Sequence, residues 1–268
     1  MGGDRASSAI VALRRAGLVG AALVGAAGGT GLVAYVQARL AISGQVHTAA
    51  PLDGIVRGRD ADPSDVTARM VWIGDSLAAG LGAVSIDLSL PRLVAAGRVG
   101  HTRLHSFAVP GATSDDVVRT QLKALYQLRS GLAEIGQRVD AIGVTVGAND
   151  IGAFTPRARF RRNLRAIIRA GGDRPMVFVS IPQLRDQRRI RPPLRTIAAL
   201  RAAWLDRAIR SEVARWPQVH YADVRRRPAW IRRRDLRNFL AADRFHPSGA
   251  GYAVWADQIS AAFDLALP

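Results

Sequence analysis

Residues 70–83, MVWIGDSLAAGLGA, run from an unbroken apolar stretch, Met70–Ile73, through Gly74-Asp75-Ser76-Leu77 into small residues punctuated by Gly80 and Gly82. A short apolar run closed by glycine reads as a buried strand. In a parallel sheet, the residues just past such a strand lie at its carboxyl end, where open α/β sheets build their sites. Four more runs of this kind follow: Leu104–Val109, Ala141–Val146, Met176–Ile181 and Val219–Val224. Between them stand helical candidates at Leu88–Arg98, Ser114–Leu128, Pro156–Ala170, Thr196–Trp216 and Ser248–Leu265. Ser114 with Asp115 and Asp116 reads as an N-cap with an acidic first turn, and Ser248 after Pro247 as the cap of the last helix. Strands alternating with helices predict an α/β domain with a five-stranded parallel sheet. The scarcity of polar positions in the runs fits a sheet covered on both faces.

The alternation gives four short motifs a common address. Ser76 follows the first run, Gly111 the second and Asn149 the third, while Asp243 and His246 stand just before the last helix. All would reach one rim. A serine hydroxyl is inert unaided and needs a base. Asp243 and His246, three residues apart, let the carboxylate meet the near imidazole nitrogen and leave the far one free for Ser76. Gly111 and Asn149 would hold an oxyanion with the Ser76 backbone N–H, since glycine permits close approach and the asparagine amide can donate. Each motif alone has a plainer reading: a helix-capping serine, a surface Asp-x-x-His turn, a turn glycine, a turn asparagine. Their combination points to acyl transfer through a serine ester. Asp150 reads as a loop brace, and His105 and His220, inside strand runs, as structural residues. Gly74-Asp75-Ser76-Leu77-Ala78 lacks the second glycine of G-x-S-x-G, which disfavours an α/β-hydrolase elbow.

On these blocks the chain resembles the SGNH hydrolases of GDSL type, a family named for the Ser, Gly, Asn and His that match Ser76, Gly111, Asn149 and His246. Asp243 matches the aspartate of the last block. Gly80 and Gly82 match glycines that often follow the serine, and His246-Pro247-Ser248-Gly249 resembles the final block. The likeness covers Arg69 to the C-terminus. It implies a flavodoxin-like three-layer α/β/α sandwich and esterase, lipase, thioesterase or deacetylase activity, with no metal and no cofactor. With its N-terminal segment, the chain most resembles exported GDSL-type esterases of actinobacteria.

That segment, residues 16–38, holds no charged residue over 23 positions, with Arg14 and Arg15 before it and Arg39 after. The length suits a membrane-spanning hydrophobic helix, and the flanking charges predict an exported remainder. An uncleaved anchor is favoured; a cleaved signal peptide, with Ala41-Ile42-Ser43 as the cut, is the alternative. Residues 1–39 are thus read as signal or anchor, 40–68 as a linker and 69–268 as the hydrolase domain. Absence of cysteine rules out disulfides, thiolate metal sites and a Cys nucleophile. The formal charge of +17 is nearly all arginine, with Lys123 the single lysine. GC-rich codon usage produces such a bias without any binding role. Attraction to an anionic envelope surface is the functional alternative. Nucleic acid is disfavoured, because no recognition motif accompanies the basic runs. The arginine-rich stretch Arg185–Arg195 reads as a solvated loop near the acyl-binding rim. The leading expectation is an exported serine esterase acting on short- to medium-chain acyl esters, attached to the membrane if the N-terminal helix is retained. An acyltransferase acting on a glycan or glycolipid is the alternative. A non-catalytic envelope-binding protein is disfavoured by the presence of every block residue.

Overall fold

The structure, a computed structural model, describes residues 52–60, 66–183, 192–226 and 228–266. Among the described residues six strands form one sheet: β1 (Gly54–Arg57), β2 (Val66–Gly74), β3 (His101–Ser106), β4 (Ala141–Thr145), β5 (Met176–Val179) and β6 (Val219–Ala222). Their order is β1-β3-β2-β4-β5-β6. All pairs are parallel except β1 with β3, which is antiparallel. The sheet is therefore mixed and six-stranded, not parallel and five-stranded. The extra strand lies in the stretch read as a linker. Its burial pattern shows why no period was visible: over four residues only Val56 is buried, while Ile55 is about half exposed. The N-terminal segment 1–39 lies outside the described residues.

Period-two alternation in the strands divides the core into two. Val71, Ile73, Ile142, Val144, Met176 and Phe178 face one side. Met70, Trp72, Ala141, Val177 and Val179 face the other. The first side is covered by α2 (Leu122–Glu134), α4 (Arg157–Gly171) and α5 (Leu194–Val213), through residues such as Leu125, Phe160, Leu164, Leu205 and Ile209. The second is covered by α1 (Leu90–Ala96) and α6 (Gly249–Ala266), through Leu90, Val94, Tyr252, Ile259 and Phe263. The one-turn helix α3 (Ala148–Gly152) follows β4 directly. In α4 the buried Phe160, Leu164, Ile167 and Ile168 repeat at helical spacing while the arginines lie outside that stripe. Each such large side chain contributes roughly 1.5–3 kcal/mol on burial. Trp72 sits against Gly143 of the neighbouring strand, where an added Cβ would come within 2.5 Å of its ring.

From β2 the chain moves to β3 on one side, then crosses back over β2 to β4 on the other. That reversal places a switch point at the carboxyl end of β2. Gly111 sits on the loop that leaves β3 and Asn149 on α3, just past β4, the two neighbours of β2. The helical stretch after Gly111 is capped one residue earlier than expected. Thr113 accepts from the Asp116 N–H and Asp116 accepts from the Thr113 N–H, a capping box. Ser114 is thereby freed to turn inward. Ser248 caps α6 as expected, its Oγ accepting from the Gly251 N–H at 3.3 Å.

Candidate active site

Ser76 stands one residue past the buried Asp75 at the end of β2. Two devices fix the peptide leading to it. The buried Gln121 side chain accepts from the Gly74 N–H at 2.6 Å and donates to the Gly74 carbonyl at 2.8 Å. Gly74 has φ +136, and a Cβ there would lie 1.9 Å from the Thr145 carbonyl oxygen. Only glycine brings β2 and β4 this close. Past the strand, Asp75 Oδ1 accepts from the Leu77 N–H and from the Thr145 hydroxyl, at 3.1 and 2.9 Å. The Ser76 turn is thus held by hydrogen bonds from three directions, while Ser76 itself remains partly exposed.

The histidine loop closes on this turn. Asp243 Oδ1 accepts from the backbone N–H groups of Phe245 and His246, at 2.8 and 3.0 Å. Its Oδ2 lies 2.5 Å from His246 Nδ1. Burial pushes the Asp243 carboxyl up, but the hydrogen bonds from His246 and from those backbone groups outweigh it and hold its pKa below the ordinary value. An ionised carboxylate only accepts, so Nδ1 carries the proton and Nε2 is left as an acceptor. His246 Nε2 lies 3.1 Å from Ser76 Oγ. The hydroxyl can therefore donate to an imidazole whose tautomer its carboxylate has already set. Gly82 makes the approach possible: at φ +94, a Cβ there would sit 2.4 Å from the Pro247 oxygen and 2.9 Å from His246 Cβ. Beneath, the buried Tyr252 hydroxyl of α6 donates to the Leu81 carbonyl at 2.5 Å, and burial keeps that phenol's pKa well above its usual value.

Asn149 is half-buried on α3 and donates through Nδ2 to the Ala112 carbonyl at 3.0 Å. That bond fixes which amide atom is nitrogen and leaves its second N–H available. Gly111 is exposed, and a Cβ built there would meet no atom within 4 Å. Its loop is tied to the serine turn through the Val109 N–H and the Gly74 carbonyl at 3.0 Å. Asp150, fully buried, accepts from the Ser114 N–H and hydroxyl at 2.9 and 2.6 Å, so it does brace the loop. Burial raises its pKa, and the Ser114 bonds oppose that rise.

The sequence profile of the family described as GDSL-like Lipase/Acylhydrolase matches residues 72–254, more than half of the chain. The chain belongs to the GDSL-like lipase/acylhydrolase family. It is 31% identical over 214 residues to the GDSL-like esterase Rv1075c of Mycobacterium tuberculosis, an alignment covering 76% of this chain and 63% of that relative. The matched region thus spans less than two thirds of the relative's length. Among solved structures, a member of the lipolytic G-D-S-L family from Veillonella parvula aligns with TM-score 0.55 and 14% identity, over 74% of this chain and 99% of that one. A lipase/acylhydrolase from Enterococcus faecalis aligns with TM-score 0.51 and 22% identity, over 73% and 94%. At these identities the structural likeness establishes the fold.

Ser76, Asp243 and His246 of this GDSL-like chain join in one hydrogen-bonded line, and Asn149 on α3 and Gly111 on the loop after β3 lie beyond the ends of the two strands that neighbour β2. His105 and His220 lie on β3 and β6, and His105 pairs with Asp53 at 3.8 Å. The arginine-rich stretch lies outside the described residues up to residue 191; Arg195 falls in the first turn of α5. Gln121, Thr145 and Tyr252 support the site without any local signal in the sequence. Each acts through a partner 47 to 171 positions away. Among the described residues no cluster of His, Asp or Glu is arranged to hold a metal ion.

Proposed function

We propose that the protein is a serine esterase. Ser76 Oγ attacks the carbonyl carbon of a carboxylic ester while its proton passes to His246 Nε2, and Asp243 steadies the resulting imidazolium. The oxyanion is taken up by the backbone N–H groups of Ser76 and Gly111 and by the free N–H of Asn149 Nδ2. One such donor typically supplies about 2.7–4 kcal/mol of transition-state stabilisation. The C–O bond to the alcohol then breaks, and His246 returns the proton to the departing oxygen. Water, deprotonated by the same imidazole, cleaves the acyl-serine and restores the hydroxyl. The continuous line from Asp243 Oδ2 to His246 Nδ1 at 2.5 Å, and from Nε2 to Ser76 Oγ at 3.1 Å, carries this reading. Family membership supports it independently.

The test is hydrolysis of p-nitrophenyl acetate and butyrate by the full chain and by Ser76→Ala. A loss of at least about a thousandfold is expected. Undiminished turnover by the variant would refute the assignment. The proposal extends to an exported enzyme acting on short- to medium-chain acyl esters, supported by the uncharged run 16–38 and the arginines before it. Digestion of the domain by protease added to intact cells tests the location; complete protection counts against it.

A further inference from the structure

We infer that Arg201 of α5 is a positioning residue for Asn149, acting through the backbone of the one-turn helix that carries the amide. The inference rests on the reading of Asn149 as an oxyanion donor.

A helix of five residues, Ala148–Gly152, cannot sustain itself, because nucleation is unfavourable and few bonds repay it. The carbonyls of Asn149, Asp150 and Ile151 accept from the N–H groups of Ala153, Thr155 and Phe154 just beyond the helix, at 2.9, 3.1 and 3.3 Å. Arg201 adds a second set of donors from a distant element. Its Nε donates to the Ile151 carbonyl at 3.2 Å, and one terminal nitrogen donates to the carbonyls of Asp150 and Thr155 at 3.4 and 3.3 Å. Two of these three acceptors lie within two residues of Asn149. The planar fork of an arginine can span several such acceptors at once, whereas a lysine ammonium is a point donor.

Aromatic rings hold the guanidinium itself. Its central carbon sits 4.7 Å from the centroid of Phe154 and 6.0 Å from that of Trp204, a ring that Arg157 also approaches, at 5.2 Å. Phe154 adopts φ +51, a left-handed conformation unusual for a bulky residue, and presents its ring to Arg201. Burial lowers the Arg201 pKa from its ordinary value while the charge of Asp150 opposes that change. The side chains of the helix are pinned separately, Asp150 on Ser114 and Asn149 Nδ2 on Ala112. Between these anchors the amide has one orientation. Releasing the Arg201 side frees the helix to tilt and moves the donor from the place where negative charge develops.

A double-mutant cycle on the full chain separates positioning from general support. Kinetics of p-nitrophenyl butyrate hydrolysis are measured for wild type, Arg201→Ala, Asn149→Ala and the double variant. Misplacement of a catalytic group can lower turnover on the order of a hundredfold. Arg201→Ala is expected to lower kcat about tenfold to a hundredfold with KM little changed. In the Asn149→Ala background the same substitution should change kcat by less than about twofold, since the amide it positions is gone. Equal losses in both backgrounds would overturn the inference while leaving the esterase reading intact. Wild-type kcat in Asn149→Ala would instead defeat the oxyanion assignment, and this inference with it. Should Arg201→Ala fail to fold, Arg201→Lys retains the charge and aliphatic stem, and the same non-additivity is expected of it.

Discussion

Replacing Asp75 by asparagine should flatten the dependence of stability on pH between about 4 and 6. Asp75 is fully buried next to the serine. Burial raises its pKa from 3.8 to about 6, against the Leu77 N–H, the Thr145 hydroxyl and the charge of His246, which lower it. The fold thus prefers the protonated acid. Its contribution to stability is complete below pH 4, where the unfolded chain is also protonated. It is lost as pH rises through about 6, because the unfolded carboxylate ionises first. A shift of about two units corresponds to about 3 kcal/mol, at roughly 1.4 kcal/mol per unit. An asparagine oxygen can still accept from Leu77 and Thr145, while its NH2 group adds a desolvation cost that does not vary with pH. The quantity to measure is therefore the difference of differences. Urea unfolding at pH 4 and pH 8 should show wild type losing about 3 kcal/mol more than Asp75→Asn over that interval. Parallel pH profiles for the two proteins would refute the reasoning.

Asp243→Asn should leave the fold intact and lower kcat by about four orders of magnitude, because an amide at that position favours the imidazole tautomer that cannot accept the serine proton; circular dichroism and ester kinetics check both halves. Gly82→Ala should lower kcat as well as stability, since its Cβ would press on Pro247 and His246 at 2.4 and 2.9 Å. Gly143→Ala provides the contrast. Its Cβ would meet the Trp72 ring at 2.5 Å in the core behind the site, so a loss of about 1–3 kcal/mol in urea unfolding is expected, with kcat per folded molecule unchanged.

The apolar runs announced their strands most plainly where both faces are buried, as in β4 and β5, while β3 and β6 are only partly covered yet keep apolar residues enough to be read. β1 escaped because an edge strand with a single buried side chain leaves no pattern over four residues. The amino-terminal half of β2 escaped for a related reason: Thr67 and Arg69 break the apolar run that begins at Met70. The hydrogen-bonded line from Asp243 through His246 to Ser76 was legible because Asp243 and His246 are neighbours in sequence, and because strand order brings Ser76 to the same rim. The cap at Thr113 was misplaced by one residue because Ser114 has the chemistry of a cap but spends its hydroxyl on Asp150. Gln121, Tyr252 and Arg201 were invisible for a different reason. Their roles arise from long-range bonds to backbone carbonyls and amides, which any sequence at the receiving end can supply.

The most direct test is covalent. A fluorophosphonate probe on the full chain, followed by peptide mass spectrometry, should place a single adduct on Ser76, and His246→Ala should abolish it. A wild-type protein that stays unlabelled, or carries the adduct on another serine, would contradict the account.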